Sequence, residues 1–181
     1  MKKYWYIFVG IFVCLISFIL IFYSGFYDSK EEKLIKSCEE ELGFKLELLT
    51  GYSEQVNDDF RINEDEKRIE QSITIKYNVK DITDNQKYTI LHLILDLADL
   101  KYEQNKDVFK KEYPNYTYVV TITVFDGSYH ANILPFDYYG RENSMLTFVS
   151  NEPMEVGDDM EEINISDYDV TFYWVDNPKT K

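Results

Sequence analysis

The chain has 181 residues, with 33 acidic side chains against 19 basic ones and a net charge of −14. That balance sets nucleic acid aside as a partner, because affinity for a phosphate backbone comes mainly from Lys and Arg. Its two cysteines, Cys14 and Cys38, fall in segments of different character, so no disulfide frames the fold.

After a short tail at 1–3, residues 4–27 (YWYIFVGIFVCLISFILIFYSGFY) carry no charge. As a helix rising about 1.5 Å per residue they reach roughly 36 Å, enough for a bilayer core of about 30 Å. The predicted fold class therefore opens with a single N-terminal transmembrane helix, an anchor whose partner is the lipid bilayer. Tyr4, Trp5 and Tyr6 at one end, and Phe22, Tyr23, Phe26 and Tyr27 at the other, are the ring types found at membrane interfaces. A cleaved secretory signal is the rival reading. It is weakened by Phe22 or Tyr23 at the position three before the cut, where a small side chain is wanted, and by the length of the apolar run. Gly10, Cys14 and Ser17 share one side of the helix, a groove suited to homodimer contact. The basic tail ahead of the apolar run favours a cytoplasmic N-terminus and an extracytoplasmic domain in a cell membrane. The abundance of Lys, Ile, Asn and Tyr fits an AT-rich bacterial source.

Residues 28–181 read as one globular acidic domain. Lys2 and Lys3 are the only charges ahead of Asp28, so this stretch holds all 33 acidic residues against 17 basic ones, a balance of −16. Its size is enough to bury a core without staples. Ser29 and Glu32 form a capping box, followed by an apolar stripe of Leu34, Ile35, Cys38 and Leu42 that ends at Gly43; this predicts a helix. Phe44, Leu46 and Leu48 alternate with polar residues as a short strand, and 53–66 read as a surface loop. Alternation from Ile69 to Val79 predicts a half-buried strand. Thr83 and Gln86 make a second capping box, opening a long helix with apolar residues from Ile90 to Leu100 and a break near Asn105.

Asp126-Gly127 between β-branched runs predicts a two-residue type I′ hairpin, with Val124 opposite Tyr129 and Ile122 opposite Ala131. Two more strands are predicted at Met145–Ser150 and Asp169–Val175, joined by an acidic connection that includes Glu161, Glu162 and Asp167. The expected architecture after the anchor is α+β, with a mainly antiparallel sheet packed on a long helix.

Chemistry-bearing residues gather in three places. The segment from Pro135 to Arg141 holds Phe136, Tyr138, Tyr139 and Arg141, types enriched at interface anchors, and His130 lies nearby on the polar face of the hairpin with Thr121, Thr123 and Asn132. Phe136, Tyr138, Tyr139, Arg141 and His130 are the partner-binding residues, and the partner is a protein or envelope component. On the long helix His92, Asp96, Asp99 and Glu103 share one face, a secondary reading as divalent-metal ligands or acid–base groups, against a simpler reading as the helix's solvated edge. No serine elbow, phosphate loop, Cys-x-x-Cys or His-Glu-x-x-His is present in the sequence, and no catalytic residue or cofactor is assigned. The expectation is a non-enzymatic, membrane-anchored extracytoplasmic domain that binds a partner. The alternatives are a carboxylate- or metal-dependent extracytoplasmic enzyme and a cytoplasm-facing adaptor.

Overall fold

A computed structural model describes residues 29–50, 60–127, 131–133, 136–141 and 160–175. The chain divides into compact units after Lys33. Of the first unit only the opening turn of a helix is described; everything below concerns the second, except that cap.

Helix α1, Lys30–Leu42, starts where the capping box places it. The Ser29 amide donates to Glu32 Oε2 at 2.9 Å and the Glu32 amide to Ser29 Oγ at 3.1 Å, so two otherwise orphaned donors satisfy each other's residues. It ends at Gly43, whose φ of +77° is the left-handed conformation that closes a helix cheaply only without a Cβ. Cys38 and Leu42 are buried, with Leu34 and Ile35 packed beside them.

Strand β1, Leu46–Thr50, and the short β2, Arg61–Asn63, both pair antiparallel with β3, Arg68–Tyr77. In β3 burial alternates strictly, with Ile69, Gln71, Ile73, Ile75 and Tyr77 inside. Helix α2, Asp84–Glu112, then crosses the sheet to β4, Thr117–Phe125, which lies parallel to β3 with Ile73 opposite Ile122 and Ile75 opposite Val124. Strand β5, Phe136–Tyr138, pairs antiparallel with β4, giving the sheet order β1-β3-β4-β5. A second sheet is the antiparallel pair β6, Met160–Ile165, and β7, Val170–Val175, joined by a 3-10 turn at Ser166–Tyr168.

The core lies between the inner face of the large sheet and α2, whose Ile90, Leu91, Leu93, Ile94, Leu95, Leu97 and Ala98 are all buried. Val170, Phe172 and Trp174, alternating along β7, join it. The second sheet is tied to the first by bridges between Ile133 and Trp174 and between Phe125 and Ala131.

The structure corrects the expected fold class. Among the described residues no helix is long and apolar enough to cross a membrane; even α2, at 29 residues, carries charged residues along its length, from Asp84 to Glu112. The fold is α+β with two helices, one of them long, and a mixed sheet. The predicted span 4–27, with Tyr4, Trp5, Tyr6, Tyr23 and Tyr27 and the Gly10, Cys14, Ser17 groove, lies outside the described residues, as do His130 and the strand predicted at 145–150. The sheet is not mainly antiparallel at its centre, because a long helical crossover between β3 and β4 returns the chain on the starting side and makes them parallel.

Local readings change too: β2, Arg61–Asn63, forms within the stretch 53–66 read as a loop, because it pairs with β3. Helix α2 runs through Asn105 without a break, because the Asn105 amide donates to Gln71 Oε1 at 3.1 Å and to the Lys101 carbonyl at 3.1 Å, giving a poor helix former two partners. The type I′ turn does not form. That turn needs positive φ at both central residues, and neither Asp126 nor Gly127 has it. Ala131 accordingly bridges Phe125 rather than Ile122, which instead faces Phe136. Gly127 serves close approach: a Cβ there would sit 2.5 Å from Asn78 Oδ1. Finally, much of the acidic connection is strand β6, with Ile163 and Ile165 turned inward and Glu161 reaching Lys87.

Candidate functional site

The structure merges two clusters that the sequence kept apart. Asp96 and Asp99 project from α2 one turn apart, and the end of β5 and the segment after it bring Tyr138 and Arg141 against them. The Tyr138 hydroxyl donates to Asp99 Oδ1 at 2.6 Å, and the Arg141 Nε donates to Asp99 Oδ2 at 3.1 Å, so both oxygens of one carboxylate are engaged. Tyr168, from the 3-10 turn, donates its hydroxyl to Asp96. The Arg141 Nη2 donates to the Tyr168 hydroxyl at 3.0 Å, and the guanidinium lies over the Tyr168 ring at 4.8 Å. Each carboxylate thus faces a phenol, and the arginine links the two pairs.

Burial and the neighbouring carboxylates act in the same direction on these phenols. Burial first, then the hydrogen bond to Asp99, pushes the Tyr138 hydroxyl far above its ordinary value of 10.0; burial and Asp96 do the same for Tyr168. Both remain protonated donors at neutral pH. The cluster is therefore a clamp of charge-assisted hydrogen bonds from sheet and turn to helix.

Outward from the clamp runs a row of rings. The Tyr168 ring lies 6.5 Å from that of His92, and His92 lies 4.5 Å edge-to-face from Tyr88 one turn earlier on α2. Tyr88 is exposed at 40%. The Arg141 side chain is exposed at 60%. A row Tyr88–His92–Tyr168–Arg141 results, exposed at Tyr88 and Arg141 and buried at Tyr168, built on the face that the spacing of His92, Asp96 and Asp99 marks in the sequence. Glu103, further along, pairs instead with Lys106 at 2.6 Å.

The remaining site residues fall as follows. Phe136 and Tyr138 are core residues, exposed at 2% and 0%, so they are not surface anchors; Phe136 packs on Phe172 with ring centroids 5.0 Å apart. Tyr139 is half-buried. Asn132 is buried, accepting from the Tyr77 hydroxyl at 3.1 Å and donating to the Val175 carbonyl at 3.3 Å. Thr121 donates to Asp137 at 3.0 Å on the outer face of the sheet, where Arg68 also reaches Asp137 at 2.6 Å. Burial opposes the charge on Arg68, but the Asp137 pairing outweighs it and raises its pKa. Among the described residues no three His, Cys, Asp or Glu side chains converge to hold a metal, and the carboxylates of Asp96 and Asp99 turn to Tyr168, Tyr138 and Arg141.

Tyr168 and Tyr88 are the residues that the sequence reading missed. Tyr88 stands four residues before His92 and was legible as its neighbour on a helix face. Tyr168 sits in an acidic stretch with no period, and no local signal marks it. No family model, curated protein or solved structure matches the chain.

Proposed function

We propose that the domain is a non-enzymatic binding module that recognises a protein partner through Tyr88, His92 and Arg141, with the buried Tyr168 holding Arg141 in place. The observation that carries this reading is the state of Arg141. A surface arginine ordinarily gives up about 2 kcal/mol of side-chain entropy when a partner fixes it. Here the guanidinium is already fixed by Asp99, the Tyr168 hydroxyl and the Tyr168 ring, yet keeps an exposed side chain. Holding an interface residue in place beforehand lowers the cost of association, and Tyr and Arg are the residue types most often found to carry binding energy.

The test is a photo-crosslinking side chain placed at position 88 of the full chain in its own cells, with position 173 on β7 as a control. A discrete protein product at 88, missing at 173 and lost on Arg141→Ala, supports the proposal. No discrete product, or the same product from both positions, removes it.

A further inference from the structure

We infer that Glu39 guards the open edge of β1 and keeps the chain from pairing there with a second copy of itself. Strand β1 ends the sheet order β1-β3-β4-β5, and among the described residues no strand pairs with its far edge. An unpaired edge is a template for another strand, and folded chains carry devices that block it. Here the device is one carboxylate. Glu39 reaches from the last turn of α1, where the Leu46 amide donates to its Oε1 at 2.8 Å and Lys45 Nζ donates to its Oε2 at 2.5 Å. The hydrogen bond from Lys45 holds the Glu39 carboxyl below its ordinary value, so the guard is charged at neutral pH. Ladder bonds alternate along an antiparallel strand, so an amide spent on Glu39 lies on the side of β1 away from β3. Leu46 and Leu48 therefore present their backbone groups to the open edge, while Glu47 and Leu49 bond β3.

The occupant that fits this edge is the same strand related by a two-fold axis. With Leu46 opposite its own copy, Lys45 of each chain faces Glu47 of the other, and Leu48 faces Phe44. With Leu46 opposite Leu48, Glu47 meets Glu47 and is repelled; with Leu48 opposite its own copy, Glu47 meets Leu49 and no charge is paired. Charge thus selects the first register. Glu47 is available to it, with a side chain exposed at 55% and its own Lys76 partner no closer than 3.6 Å. That register uses two groups, the outward Leu46 amide and the Lys45 ammonium, and those are the two that Glu39 holds. Glu39 and a second copy compete for the same atoms.

The test reads amide hydrogen exchange in the full chain. The Leu48 amide faces the open edge and reports a second strand; the Glu47 amide bonds β3 and reports the fold. In the wild type Leu48 is expected to exchange fast at every protein concentration. Glu39→Ala should slow it by about tenfold or more, increasingly so at higher concentration, with Glu47 unchanged and Glu40→Ala behaving as wild type. Adding Glu47→Lys to Glu39→Ala sets like charges opposite each other and should remove the protection; adding Lys45→Glu as well should return it. If Glu47 loses protection in Glu39→Ala, Glu39→Ser, whose hydroxyl is too short to reach β1, is read in its place. Leu48 exchange as fast as in the wild type overturns the inference. Protection that ignores concentration overturns it too, because the edge is then covered from within the chain, as does protection that survives Glu47→Lys.

Discussion

The Tyr138 hydroxyl and the Asp99 carboxylate meet at 2.6 Å across the boundary between β5 and α2. One residue is fully buried in the sheet and the other sits half-buried on the helix, so a single hydrogen bond couples the core to the row Tyr88–His92–Tyr168–Arg141. Tyr138→Phe keeps the ring and removes the donor. It is expected to cost about 1–3 kcal/mol, the range for leaving a charged acceptor short of a partner, measured by urea unfolding. Since Asp99 also holds Arg141, the same variant should loosen the guanidinium and weaken crosslinking from position 88.

The buried phenols give the fold a defined alkaline limit. Tyr118, pushed by burial to about 12, joins Tyr138 and Tyr168 in having a pKa above the unfolded value of about 10. A raised pKa means that the folded state prefers the protonated group. The stability it contributes is complete below about pH 10 and is lost as pH rises from there through the folded values. Melting followed from pH 8 to 12 should show a plateau and then a fall that starts near 10; Tyr118→Phe should reduce its steepness. A flat profile to pH 12 would remove the argument.

Burial acts on Cys38 in the same direction. Burial first, then Glu41 and Glu39, pushes its thiol up to about 12, and its Sγ faces the Thr89 carbonyl at 3.9 Å. The thiolate is the reactive form, so a thiol reagent at pH 8 should leave Cys38 untouched in the folded chain and modify it on unfolding in urea.

Gly140 separates two reasons for using glycine. Its φ is +93°, and a Cβ would stand 2.6 Å from the Tyr102 ring, which also packs edge-on to Tyr138 at 6.0 Å. At Gly43 φ is +77° but nothing lies within 4 Å of the added Cβ. Gly43→Ala should cost about 1–2 kcal/mol, the left-handed penalty alone. Gly140→Ala should cost more and should displace Tyr102; thermal unfolding of the two variants gives the order.

Local chemistry was legible where a residue's partners lie within a turn or a strand. The two capping boxes, the alternation of β3 and the strand β7 all follow from spacing, and the structure reproduces them. The errors arise where distant partners decide. Asn105 would end a helix by propensity but is held by Gln71 from β3. Asp126-Gly127 would form a tight turn by composition, yet close packing on Asn78 and the pairing of Phe125 with Ala131 set another path. The same holds for the site. His92, Asp96 and Asp99 were visible as one helix face, and Tyr138 and Arg141 as one segment, but nothing in either stretch says that they meet. Phe136 and Tyr138 looked like surface anchors because aromatic content does not distinguish a ring facing out from one facing in.

The parallel pairing of β3 and β4 also bears on how the chain is made. During synthesis β1 and β2 can pair with β3 as soon as it emerges, while its other edge has no neighbour until all 29 residues of α2 and then β4 have followed. A nascent chain therefore carries an open strand edge, with Ile69, Ile73 and Ile75 uncovered, for the several seconds that translation of the crossover takes at about 5–20 residues per second. Whatever shields that edge on the ribosome governs how much of the protein reaches its native state.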